Sequence, residues 1–111
     1  MARHVFLVMN NPVPGKDKEF NDWYNERHVQ DVVNIPGIVS GRRFRLTDKQ
    51  MTPDPQQYRY MALYEIDGDD IQPVIDQIMK RAFTDAMPIT PALDETRYNS
   101  FFEELKKIEK K

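Results

Sequence analysis

The chain has 111 residues, 16 Lys plus Arg against 18 Asp plus Glu, no cysteine and a formal net charge of -2. This allows one domain, residues 1–111, and excludes a disulfide scaffold, thiolate zinc sites, a cysteine nucleophile and the basic footprint of a nucleic-acid binder. A chain of this length hides only about 65% of the surface its unfolded form exposes, so its core is modest or a second subunit completes it.

Met1-Ala2-Arg3-His4 leads straight into the apolar run Val5 to Met9, far shorter than a span of about 20 residues, so a cytoplasmic protein with no membrane contact is expected. His4 to Asn10 reads as a strand, closed by the turn formers Asn11-Pro12-Val13-Pro14-Gly15. Its apolar residues do not alternate, which predicts cover on both faces. Lys16 to Asn34 holds good helix formers and no Pro or Gly, and Ile35-Pro36-Gly37 stops it. Phe20, Trp23 and Tyr24 share one side of this helix, whereas Val29, Val32 and Val33 fall on the opposite side at about 100° per residue. The phase jump near His28 predicts a bend or break between His28 and Asp31, with Asp31 or a neighbour capping the new start.

Ile38 to Thr47 and Tyr58 to Ile66 carry strand-favouring residues, and Asp48 to Gln57, with Pro53 and Pro55, connects them as a long hairpin loop. Strict alternation puts Ile38, Ser40, Arg42, Phe44 and Leu46 opposite Val39, Gly41, Arg43 and Arg45, and Tyr58, Tyr60, Ala62, Tyr64 and Ile66 opposite Arg59, Met61, Leu63 and Glu65. Asp67-Gly68-Asp69-Asp70 offers helix caps, and Ile71, Val74, Ile75, Ile78, Met79 and Phe83 follow at helical spacing, giving a second helix over Asp70 to Phe83. Thr84 to Asp94, with Pro88 and Pro91, reads as loop, Glu95 to Leu105 as a last strand, and Lys106 to Lys111 as a charged end.

The order βαββαβ is the α+β, ferredoxin-like plan, a four-stranded antiparallel sheet with two helices on one face. The other face stays bare although the first and third strands are apolar on both sides. A homodimer through that sheet face is therefore expected.

Asn11 to Gly15, Phe20 to His28 (FNDWYNERH), Asp31 to Gly37 (DVVNIPG), Arg42-Arg43-Phe44 and Tyr60 to Glu65 (YMALYE) together resemble the EthD-like family of the dimeric α+β barrel superfamily. Gln30 stands where that family usually has proline. The resemblance implies a dimeric barrel, a histidine at position 28 facing a cleft between helices and sheet, and a reaction drawn from isomerases, cyclases, dehydratases, lyases and cofactor-free monooxygenases.

His28 is the leading candidate for general acid/base work, because imidazole titrates near neutrality, and Tyr24 and Asp31 lie within one helical turn of it to orient the ring. The alternative is a helix-end histidine that caps carbonyls or pairs with Asp31. Among Arg42, Arg43 and Arg45, Arg43 is the candidate to hold a carboxylate or enolate in its guanidinium fork, against a solvated edge role. Tyr60 and Tyr64 share a face and either line a ligand cavity or fill the core; Trp23 anchors the core and joins Phe20 and Tyr24 as pocket lining.

Two histidines and scattered acids make no metal spacing, and all four glycines stand singly, so neither a metal nor a nucleotide cofactor is expected. The expected function is cofactor-free proton transfer on a small aromatic, polyketide-like or lactone molecule. A binding or accessory protein using the same pocket without turnover, and a cofactor-free monooxygenase, are the competing readings.

Overall fold

The computed structural model describes residues 3–111. Four strands, β1 (Arg3–Pro12), β2 (Ile38–Arg45), β3 (Tyr60–Asp67) and β4 (Leu93–Glu103), form one antiparallel sheet in the order β2-β3-β1-β4. The first helix runs as α1 (Asp17–Trp23), a π-helical turn (Tyr24–His28) and α2 (Val29–Val33); the second is α3 (Gln72–Arg81). This is the βαββαβ plan expected from the order of elements.

The π turn accounts for the phase jump. Bonding i to i+5 rather than i+4 inserts one residue, and the helix face slips by about 100° with no new cap. Phe20, Tyr24 and Val32 are all buried as a result, on what a straight α-helix would make two sides. Asp31 is accordingly no cap: no side chain caps the start of α2, and the Asp31 carboxylate takes two bonds from Arg27 Nε at 2.9 and 3.2 Å. The expected break at Asp31 is corrected to a continuous helix carrying a π insertion.

A second irregularity lies at the start of β2. Ile38 pairs with Ile66, but Ser40 pairs with Glu65, so one extra residue sits between them. This bulge turns Ile38 to the core side, where it is buried together with Ile66, instead of the Arg42 and Phe44 side given by strict alternation. Beyond it, Gly41 and Arg43 face the helices. A Cβ on Gly41 would stand 2.8 Å from Val33 Cγ2 and 2.9 Å from the Tyr64 ring, so the strand packs here at backbone distance.

The core lies between sheet and helices. Phe6, Ala62, Tyr64 and Ile66 are buried on that face, with Phe20, Tyr24, Val32, Ile35 and Val74 above them. On the opposite face, Val5, Leu7, Met9, Met61 and Leu63 are only half-buried, and Phe44, Tyr98 and Phe102 are exposed. The cover expected on both faces of β1 is thus present on one. Helix α3 stops at Arg81, two residues short of the expected end, because Ala82 turns to extended backbone (φ -56, ψ 135) and Phe83 follows in the left-handed region at φ 67. No described helix is long and apolar enough to cross a membrane.

Candidate functional site

The floor of the site follows from the register of three strands. Phe101, Phe6 and Tyr64 stand side by side across β4, β1 and β3; Asn99, Val8 and Ala62 form the next row on the same face, and Arg97, Asn10 and Tyr60 the third. Helix α1, the π turn and α3 roof this floor without meeting along their full length. Between them lies a cleft of about 460 Å³ whose walls are mainly apolar, with Val32 from α2, Ile75 and Ile78 from α3, and Met87 and Ile89 from the following loop.

The polar exceptions cluster around Tyr24. His28 lies edge-to-face with the Tyr24 ring at 5.0 Å and stacks on Trp23 at 4.4 Å with an interplanar angle of 21°. Because the π turn slips the phase, Trp23, Tyr24 and His28 all reach the cleft. Asn10 and Tyr64 both act on the Tyr24 hydroxyl. Asn10 is 4% exposed and Tyr64 is fully buried; the Tyr64 hydroxyl has that of Tyr24 beside it, and Asn10 Oδ1 and His28 Nδ1 have no hydrogen-bond partner among the described residues. Unpartnered buried polar atoms are costly, so two in one cleft mark groups that a ligand can satisfy.

Burial and the nearby positive charge of Arg43 pull the His28 pKa down to about 4, leaving the imidazole neutral at pH 7. Burial raises the Tyr24 hydroxyl and takes Tyr64 well above its ordinary value, so both remain proton donors. The arrangement holds a neutral base and two hydroxyl donors in an apolar enclosure. It can accept a proton from an acidic C–H or O–H and stabilise the resulting oxyanion by hydrogen bonds.

Of the residues singled out from sequence, Trp23, Tyr24, His28 and Tyr64 meet in this cleft and Asp31, Arg43 and Tyr60 do not line it. Asp31 is engaged by Arg27. Arg43 lies over the Tyr24 ring at 4.2 Å and donates to Asn25 Oδ1 at 2.6 Å and Asn21 Oδ1 at 3.0 Å, so it acts on the cleft through Tyr24 and through its field. Tyr60 packs beside Arg43 and receives the Asn21 amide at 3.2 Å. Asn10, Arg97 and Asn99 line the cleft without having been singled out. Register alone brings them in: the β4 alternation Arg97, Asn99, Phe101 is visible in sequence, but its pairing with Asn10 and Phe6 is not. Among the described residues no three His, Cys, Asp or Glu side chains converge on a metal position.

No family model and no curated protein matches the chain. Several solved structures do. An EthD (ethyl tert-butyl ether D) family protein from Bacillus halodurans C-125 shares 18% identity over 95% of this chain and 100% of that one, with a TM-score of 0.60. A candidate monooxygenase from Shewanella loihica PV-4 shares 15% identity over 96% and 99%, with a TM-score of 0.59. A DABB family protein with a ferredoxin-like fold from Mesorhizobium loti MAFF303099 shares 12% identity over 96% and 100%, with a TM-score of 0.58. At these identities the likeness establishes the fold, over nearly the whole chain and at full length of each neighbour.

Proposed function

We propose that this chain is a small cofactor-free enzyme of the EthD-like kind, acting as a homodimer and moving a proton within a flat apolar substrate bound in the cleft. The observation that carries this reading is the convergence of His28 and Asn10, each with an unpartnered polar atom, beside the Tyr24 and Tyr64 hydroxyls in a mainly apolar cleft. An imidazole held near pKa 4 is neutral at pH 7, a weaker base than free imidazole but one whose imidazolium returns the proton readily. That suits isomerisation, cyclisation or dehydration, in which one group removes a proton and redelivers it within a turnover. Tyr64 and Tyr24 donate to the developing enolate oxygen, Trp23 holds the imidazole plane, and the Arg43 charge behind Tyr24 favours the anion.

The likeness to a candidate monooxygenase gives the second reading some support, since a carbanion formed at His28 is also what a cofactor-free oxygenase passes to dioxygen. The two separate in one screen. Aromatic β-keto acids, polyketide-like enols and lactones are incubated with the protein in deuterated water, with mass spectrometry for solvent deuterium and an electrode for dissolved oxygen. Deuterium gain or isomerised product without oxygen uptake is expected; stoichiometric oxygen uptake selects the oxygenase. Trp23 emission that shifts with ligand while neither deuterium nor oxygen is exchanged would replace both by a binding role.

A further inference from the structure

Among the described residues Arg97 is the one charged side chain that lines the cleft, and it has neither an ion pair nor a side-chain hydrogen bond. It stands directly across the β1–β4 ladder from Asn10, whose Oδ1 is buried and unpartnered, and its next neighbour on the same face is Asn99. Apart from these two asparagines and Arg97, the β1 and β4 part of the floor is Val8, Leu93, Phe6 and Phe101, the last two stacked at 4.4 Å. A free guanidinium at one end of a hydrophobic floor, beside an amide oxygen without a partner, is a recognition pattern with a head and a body.

We infer that the cleft takes a small amphipathic organic acid, its carboxylate held by Arg97 with the Asn99 amide and its apolar body lying over Phe6 and Phe101 toward α3. This rests on the reading of the cleft as a ligand site and names the class of ligand. A carboxylate fits better than a phosphate ester, because a single guanidinium offers one positive charge and a planar bidentate fork, and no second cation lines the cleft to meet a dianion. The body remains flat and uncharged, since Ile75, Ile78, Val32 and Met87 leave it no other polar partner on that side. With the carboxylate at Arg97, a hydroxyl or enol a few atoms further on reaches Asn10 Oδ1 and the Tyr64 hydroxyl, and this places the atoms that exchange a proton beside His28.

The test uses arene carboxylates (benzoate, 2-naphthoate, 3-phenylpropanoate and 3-hydroxy-2-naphthoate), each paired with its carboxamide of the same shape. Calorimetric titration gives the affinities, and the single tryptophan of the chain, Trp23 in the cleft wall, reports by its emission that the cleft is the site. For at least one pair the acid is expected to bind about tenfold or more tighter than the amide, the preference shrinking with added salt. Arg97→Gln, at an exposed position on the edge strand, removes that preference while leaving amide affinity within about twofold; Arg97→Lys keeps part of it. His28→Gln leaves the preference intact. Equal affinity for acid and amide in the unaltered protein, or a preference that survives Arg97→Gln, overturns the inference while leaving the cleft a ligand site. Binding that never perturbs Trp23 overturns both. An acid preference in a protein that never exchanges a substrate proton upholds the inference and refutes the catalytic reading.

Discussion

Replacing His28 by Phe keeps a flat ring against Trp23 and removes one titration, and the structure fixes what this does to stability. Folding moves the imidazole from an ordinary pKa of 6.5 to about 4. Below pH 6.5 the unfolded chain therefore takes up a proton that the folded chain refuses, so the unaltered protein loses stability as the pH falls and the loss is complete only below about pH 4. At about 1.4 kcal/mol per unit, the full shift is worth about 3 kcal/mol, of which about 2 kcal/mol is spent between pH 7 and pH 5. Urea unfolding followed by Trp23 emission at pH 7, 6 and 5, at one protein concentration, gives both stability curves. The difference between the unaltered protein and His28→Phe should close, or turn in favour of the variant, by about 2 kcal/mol over that range, since all other groups are common to both proteins and cancel. Parallel curves, or an NMR titration that finds the folded His28 midpoint above pH 6, would refute the claim that the imidazole is held neutral by burial and by Arg43.

Arg43→Met, which keeps an aliphatic stem on Tyr24 but removes the charge, should raise the His28 midpoint by NMR, because the guanidinium opposes a second positive charge in the cleft. Gly41→Ala drives a methyl into the Tyr64 ring and Val33; a loss of about 1–3 kcal/mol in urea unfolding is expected, with weaker ligand binding because Tyr64 is pushed toward the cleft. Light scattering should give a dimer mass at micromolar protein, and Leu7→Glu or Leu63→Arg, on the sheet face opposite the helices, a folded monomer.

Composition and periodicity carry the order of elements, because each strand and helix is written locally in apolar spacing and turn residues. The fold likeness to EthD and DABB family proteins agrees with that order and with the resemblance read from residues 11–65. The phase jump at His28 was legible as an irregularity but not as a π turn, since a bend, a break and an inserted residue leave the same mark on a helical pattern. The bulge before Ser40 left no mark at all, because it depends on how Ile38 competes for the core beside Ile66. Half of the cleft was legible for a similar reason. Trp23, Tyr24 and His28 lie close together in sequence, whereas Asn10 and Arg97 become neighbours only through an antiparallel pairing of the first and last strands. A charge that works through an intervening ring, as Arg43 does through Tyr24, has no sequence signature either.

The most direct test of the account is the turnover of His28→Gln on whichever substrate shows solvent deuterium exchange, measured at pH 7 alongside its binding affinity. The account predicts a fall in kcat of about 100-fold to 10,000-fold, an affinity within a fewfold of the unaltered protein and a folded, cooperatively unfolding variant. Undiminished exchange by the folded variant would contradict it and leave His28 a structural ring stacked on Trp23.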